Sequence, residues 1–174
     1  MCERVHRRRG RANARRRRRE RRGWERGHGH PGHGRRTLTE RARVVLPEKL
    51  RQEIVAHARD AAPQECCGLL LGEDETVRRV MRCRNVHTTP ETRYLIDTRQ
   101  VVDAFRASDD FDRELVAIYH SHPRSQAYPS PTDRAEAQWP LAAYVLVSLR
   151  SDPPELYAYR IDEGAVREIP VSEN

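Results

Sequence analysis

The sequence lacks the features that mark several large classes of protein. No run of apolar residues approaches the roughly 18–20 that a membrane helix needs, and no apolar stretch follows the basic N-terminus as in a signal peptide. The first serine is Ser108, whereas transit peptides are usually rich in serine. No CxxC pair occurs, so neither a disulfide framework nor a cysteine-type zinc site is indicated. The cysteines are Cys2, Cys66, Cys67 and Cys83. We therefore expect a reducing, cytoplasmic compartment.

Charge is distributed unevenly along the chain. Residues 1–43 hold 17 Arg and 4 Glu, a net charge of +13, whereas residues 44–174 hold 16 basic and 22 acidic side chains, a net charge of −6. A segment with so much like charge and so few apolar residues cannot bury enough surface to offset the entropy of ordering. We predict a disordered Arg-rich tail over residues 1–42 and a single domain with one core over residues 43–174.

The tail has three interpretations that stay open. Its arginines can neutralise the phosphates of nucleic acid or of an anionic membrane. It can equally be a solvated extension without a partner. It can also be the product of a mis-assigned translation start, although Met81 is the only other methionine and a start near Val44 would need a non-AUG codon. The acidic body points away from nucleic acid, so we expect neither a membrane partner nor a nucleic-acid partner beyond the tail.

The body interleaves helix and strand patterns without strict alternation, which predicts an α/β (α+β) domain with a mixed sheet and flanking helices. Strands are predicted at 43–46, 66–71, 76–86, 94–96, 114–122, 143–149, 156–161 and 165–171. Helices are predicted from Pro47 to Ala62, from Asp97 to about Ala107 and over residues 130–138.

One short segment carries residues of metal-binding type. His120 and His122 lie two apart at the end of a predicted strand, so their side chains share a face. Ser130 and Asp133 open the next predicted helix. Two imidazoles and one carboxylate are the ligand set of catalytic zinc, which keeps a fourth position for water. Two alternatives remain: solvated histidines at a strand end, and an ordinary helix-capping signature.

A zinc hydrolase also needs a base within hydrogen-bond reach of the water. The candidate is Glu65, an acidic residue at the mouth of the apolar strand that begins at Cys66. The alternative for Glu65 is an exposed carboxylate at the end of a strand.

Together these residues resemble the pattern of the JAMM (MPN+) metalloprotease family, which has an upstream Glu, then H-x-H-P, six residues and S-x-x-D. The similarity spans roughly residues 43–171. It implies a curved mixed sheet of the JAB/MPN type and one zinc ion per chain, with His120, His122 and Asp133 as ligands. It further implies that Glu65 is the base that also protonates the leaving nitrogen, and that Ser130 stabilises the oxyanion.

The spacing within the motif indicates a compact member of the family, because only eight residues separate His122 from the helix at Pro131. Compact bacterial members resemble peptidases that act on ubiquitin-like sulfur-carrier proteins. The implied reaction is hydrolysis of the amide bond after the carrier's C-terminal tail, with release of cysteine. An extended tail is expected along an exposed strand edge. Two alternatives are a nucleic-acid-associated protein of this fold that uses the basic tail, and a non-catalytic module that binds a carrier tail.

Overall fold

The computed structural model describes residues 42–108 and 114–174. In these ranges the strands are β1 (Val44–Val45), β2 (Cys67–Glu73), β3 (Thr76–Cys83), β4 (Leu115–His122), β5 (Ala143–Ser148), β6 (Glu155–Asp162), β7 (Ala165–Ile169) and β8 (Val171–Ser172). The helices are α1 (Glu48–Ala61), α2 (Thr98–Arg106) and α3 (Pro131–Ala135).

All of these strands join one mixed sheet in the order β7-β6-β5-β4-β2-β3-β1-β8. The pairs β4–β5, β1–β3 and β1–β8 are parallel, and the other pairs are antiparallel. Strand β4 lies in the interior of the sheet, and every one of its residues is buried. Such continuous burial explains why its sequence is an uninterrupted apolar run up to the histidines.

The curved sheet carries an apolar core on each face. Helix α1 covers one face through Ile54 and Ala58, which pack into a cluster that includes Tyr119 of β4. Helix α2 reaches the other face through Ala104, in a cluster that includes Tyr144 of β5. The predicted α+β class with flanking helices is therefore confirmed.

Several predicted elements differ from those that form. The strand predicted over 165–171 is divided into β7 and β8, which lie at opposite edges of the sheet, and the strand predicted over 43–46 is reduced to β1. The strand predicted over 76–86 ends at Cys83, and the strand predicted over 94–96 is reduced to an isolated bridge between Asn85 and Ile96. The Asn85 side chain bonds to backbone groups there and so competes with regular pairing. The helix predicted over 130–138 ends at Ala135, and the N–H of Trp139 donates to the Tyr144 hydroxyl instead of a helix carbonyl.

The predicted N-terminal tail and the predicted lack of a membrane helix concern different parts of the chain. Residues 1–41 of the predicted tail lie outside the described residues, and its three interpretations stay open. Within the described ranges, no helix has both the length and the apolar character required to span a membrane.

Candidate active site

Strand β4 presents two histidines side by side at its C-terminal end. His120 and His122 project from the same face, and their Nε2 atoms are 3.1 Å apart. Their exposed fractions are 0% and 4%. The strand continues to pair with β5 as far as the register His122↔Ser148, so both residues sit on a rigid backbone. Regular strand geometry thus brings the two imidazoles together, as their spacing predicted.

Helix α3 delivers a carboxylate to the histidine pair. Ser130 caps the helix: its Oγ accepts the Asp133 N–H at 3.1 Å, and Asp133 Oδ2 accepts the Ser130 N–H at 2.7 Å. Asp133 Oδ1 lies 3.4 Å from His120 Nε2, and Asp133 Oδ2 lies 3.4 Å from His122 Nε2. The capping and metal-binding interpretations of this segment are therefore compatible, because the same box that starts the helix aims the carboxylate at both rings.

The histidine rings are oriented by different contacts. His122 Nδ1–H donates to the carbonyl of Gln126 at 2.7 Å, so Nε2 is the ring nitrogen that points towards Asp133 and carries the lone pair when the ring is neutral. His120 Nδ1 is buried and has no hydrogen-bond partner, but the ring stacks on Tyr94 with 4.3 Å between centroids. Each ring therefore directs Nε2 towards Asp133, the arrangement in which an outer contact orients a metal ligand.

Burial and ion pairing set the charges in this cluster. Burial lowers the pKa of His120, although Asp133 acts in the opposite direction. Burial also acts to lower the pKa of His122, but hydrogen bonds to Asp133 and to the Gln126 carbonyl outweigh it and raise the value. Burial acts to raise the pKa of Asp133, but its hydrogen bonds with both histidines prevail and hold the value well below the ordinary range. Asp133 is therefore an anion, as a cation ligand must be.

Glu65 lies beside this cluster, just before β2. Strands β2 and β4 pair with the register Cys67↔His120, and the Ser121 N–H continues the pairing by donating to the Cys66 carbonyl at 3.0 Å. Cys66 thus lies opposite Ser121, and the next residue of each strand in the same register sets Glu65 opposite His122, on the same face of the sheet. Glu65 is only 6% exposed, so it is not the exposed strand-end carboxylate of the alternative interpretation.

The Glu65 carboxyl is poised between its two protonation states. Burial raises its pKa to about 7, while the charge of His122 acts to lower it and that of Asp133 to raise it. Its Oε2 atom is buried without a hydrogen-bond partner. A buried carboxyl oxygen with no partner is costly unless a ligand or water completes the site.

The residues present fit a metal ion. One ligand atom each from His120, His122 and Asp133 lie within 4.8 Å of one another. Two imidazole nitrogens and a carboxylate oxygen match the preference of zinc in catalytic sites. The unpartnered Glu65 oxygen at the edge of the cluster is what a water held beside the metal would satisfy.

All five residues singled out from the sequence thus lie in one place, whereas the nearby cysteines take no part in the site. Cys66 and Cys67 are 2% and 0% exposed and pack into the two cores. Burial raises the pKa of the Cys66 thiol to about 11, which disfavours the nucleophilic thiolate. Both are small core residues.

Three contributors were not singled out from the sequence. Tyr94 stacks on His120, the Gln126 carbonyl orients His122, and the Asn85 amide donates to the Glu65 carbonyl at 2.9 Å. Tyr94 was assigned to a strand, and Asn85 to the strand before it. Every residue has a main-chain carbonyl, so the identity of residue 126 gives no indication that its carbonyl orients His122.

Comparison with known proteins gives a consistent result. A family model described as prokaryotic homologs of the JAB domain matches residues 47–162. The CysO-cysteine peptidase of Mycobacterium tuberculosis is 44% identical over 133 residues, which cover 74% of this chain and 90% of that protein. The probable TtuB-protein conjugate cleaving protease of Thermus thermophilus is 44% identical over 96 residues, 55% of this chain and 64% of that protein.

A solved structure agrees with the fold. The solution structure of a protein from Desulfitobacterium hafniense superposes with a TM-score of 0.66 and 31% sequence identity, and the match covers 74% of this chain and 90% of that one. The matched family model is of the JAB type that the motif resembles, so the resemblance predicted from the sequence is confirmed.

Proposed function

Because this chain belongs to the family of prokaryotic JAB-domain proteins, we propose that it is a zinc-dependent peptidase for conjugates of a ubiquitin-like sulfur-carrier protein. It hydrolyses the amide bond that follows the carrier's C-terminal tail and releases cysteine from a carrier–cysteine adduct. One observation carries the proposal: a buried His120–His122–Asp133 cluster stands beside the buried carboxyl of Glu65, whose Oε2 atom has no hydrogen-bond partner. The names of the two relatives support the type of bond, since each is named for cleaving an attachment to a protein.

The metal would be held by His120 Nε2, His122 Nε2 and one oxygen of Asp133. Bound there, zinc supplies a water that ionises near pH 7 and a Lewis acid for the carbonyl oxygen of the substrate. The surrounding residues favour this ligand set, because Asp133 is held as an anion and burial keeps His120 neutral.

Glu65 moves the proton. A carboxyl group with a pKa of about 7 can accept a proton near neutral pH and return it in the next step. Its carboxylate takes a proton from the attacking water as the new carbon–oxygen bond forms. The same carboxyl then gives that proton to the amide nitrogen as the carbon–nitrogen bond breaks, so the amine leaves neutral.

Ser130 stabilises the developing negative charge. Its Oγ accepts the Asp133 N–H, and a hydroxyl that accepts in this way still has its own proton to donate. We assign that proton to the oxyanion of the tetrahedral intermediate. Donors of this kind typically contribute about 2.7–4 kcal/mol to lowering the barrier.

The test incubates the full-length, zinc-loaded protein with a carrier–cysteine adduct and with a carrier joined to a lysine side chain, and weighs the products by intact mass spectrometry. We expect free carrier ending at its own tail, and loss of the reaction when a chelator removes zinc. Glu65→Gln should retain zinc while turnover falls by about 10²–10⁴-fold.

Two results would contradict the proposal. One is cleavage by zinc-free protein, and the other is parental turnover by Glu65→Gln. The variant His122→Ala distinguishes an enzyme from a non-catalytic binding module. A module that merely holds a carrier tail would function in this variant as it does in the parent, whereas an enzyme would lose turnover.

A further inference from the structure

Asn85 makes four hydrogen bonds with main-chain groups close to the site. Its Oδ1 accepts the N–H groups of His87 and Leu95, each at 3.0 Å. Its Nδ2 donates to the carbonyl oxygens of Glu65 and Arg93, each at 2.9 Å. The side chain thus uses both of its donors and both acceptor positions, and it ties together the two ends of residues 85–96, which we call the clamp segment.

The clamp segment holds the main chain of Glu65 from both sides. The Glu65 N–H donates to the Pro90 carbonyl at 2.7 Å, and the Glu65 carbonyl accepts from Asn85. Pairing between β2 and β3 ends with the register Cys67↔Cys83, so no partner from β3 takes over at Glu65. The position of this residue therefore depends on the clamp segment.

The same segment also contacts the histidine pair. Tyr94, one residue after the Arg93 carbonyl that Asn85 holds, stacks on the buried ring of His120. One short stretch of chain thus touches both the main chain of Glu65 and a metal-ligand residue of the proposed site. Its backbone forms an isolated bridge, and the Val86 N–H donates to the Leu95 carbonyl at 2.8 Å. The Asn85 side chain reinforces this pairing through its bonds to Arg93 and Leu95.

We propose that Asn85 is a positioning residue that holds the Glu65 main chain, and with it the Glu65 carboxyl, against the His120–His122–Asp133 cluster. This inference rests on the proposed function for the role of Glu65. Asn85 does not touch the reacting atoms and acts only through the Glu65 carbonyl and the clamp segment. A displacement of a catalytic group by about 1 Å can cost about 100-fold in rate, so such an anchor matters for turnover.

Two substitutions separate the bonds that Asn85 makes. Asn85→Asp keeps the shape and the acceptor for His87 and Leu95 but cannot donate to the Glu65 carbonyl. Asn85→Ala removes all four bonds without adding charge. Gln100→Ala is the matched control, because it removes a side-chain bond to the neighbouring Arg84 N–H, which is not bonded to Glu65.

The kinetic experiment measures kcat, KM and zinc content of the full-length proteins on the carrier–cysteine adduct. We expect kcat to fall about 10- to 100-fold in both Asn85 variants, with KM and zinc content close to the parent, and Gln100→Ala to behave as the parent. Added to Glu65→Gln, Asn85→Asp should lower the residual rate no further, because the group it positions is already gone. A loss confined to Asn85→Asp would instead be a charge effect and would overturn the proposal.

A second readout needs no turnover and no metal. In the metal-free protein we expect hydrogen exchange of the Glu65 amide to be faster in Asn85→Asp, while the amide of Ile118 in β4 exchanges as in the parent. Unchanged exchange at Glu65 would overturn the positioning role, whatever the kinetics show. If the parent cleaves no conjugate, the proposed function fails, yet the exchange experiment still decides whether Asn85 holds Glu65.

Discussion

The buried carboxyl of Glu65 should make the metal-free protein less stable as the pH rises. Burial raises the pKa of Glu65 from 4.5 to about 7. Between these values the folded protein keeps a proton that the unfolded chain has lost, so the free energy of unfolding falls as the pH rises through this window. A shift of one pKa unit corresponds to 1.36 kcal/mol, so the total loss by pH 8 is about 3 kcal/mol.

Glu65→Gln removes this pH-dependent cost, because the amide has nearly the same shape and cannot ionise. We expect the metal-free variant and the metal-free parent to differ little at pH 4.5. The variant should become more stable than the parent by about 3 kcal/mol at pH 8. Urea unfolding with a chelator present, repeated from pH 4.5 to 8, measures the difference, and a matching rise in melting temperature on the order of 10 °C should accompany it.

Glu155→Gln is the control for loss of a carboxylate at an exposed position of β6. Its difference from the parent should not grow with pH. If Glu65→Gln is more stable than the parent by the same amount at pH 4.5 and at pH 8, the surroundings do not destabilise the ionised Glu65 carboxylate. The assignment of this group as a proton carrier near neutral pH would then lose its physical basis. Saturating zinc should raise the stability of the parent above that of the metal-free parent if the proposed site binds it, because a ligand that binds the folded state more tightly than the unfolded chain stabilises it.

Three further substitutions test the neighbouring parts of the site. Ser130→Ala should lower the free energy of unfolding by about 1 kcal/mol through loss of the helix cap. It should lower kcat by about 10²–10³-fold while zinc is retained. A small loss of stability together with an equally small loss of kcat would contradict the role assigned to Ser130. Tyr94→Leu should weaken zinc affinity about 10- to 100-fold by releasing the His120 ring, as measured by competition with a chelator; unchanged affinity would show that stacking does not orient the ring. Gly68→Ala should destabilise the fold by about 3 kcal/mol or more in urea unfolding, because the added Cβ overlaps the Met81 main-chain oxygen and the Tyr119 ring. A neutral result would contradict this packing.

The parts of the site that could be predicted from the sequence are those whose geometry is local. His120, His122, Ser130 and Asp133 fall within 14 consecutive residues, where strand alternation and a capping box determine how the side chains point. The prediction therefore needed no knowledge of distant contacts. Glu65 lies 55 residues before His120, so no local spacing connects it to the histidines. It was proposed from its place at the mouth of an apolar strand, and the resemblance to a known family supported that choice.

The site residues that were not predicted act through contacts that produce no local pattern in the sequence. Asn85 bonds to main-chain groups across an irregular loop, and its neighbours suggested a longer strand than the one that forms. Tyr94 was predicted to be a strand residue because it stands in an apolar triplet, yet its partly buried ring stacks on His120. The fold class was easier to predict, since apolar runs and helix caps are repeated many times along the body.

The position of β4 in the sheet limits how a substrate can approach. The sequence suggested a carrier tail along a strand edge, but β4 pairs with β2 on one side and β5 on the other, and the edge strands β7 and β8 lie three and four strands away. Within the described part of the chain, the sheet therefore offers no free strand edge next to the histidines. The side chains of His120, His122 and Asp133 are 0%, 4% and 9% exposed, so little of the cluster is accessible from solvent. A scissile bond must therefore enter on a thin chain, and an extended C-terminal tail meets that requirement better than a folded surface does.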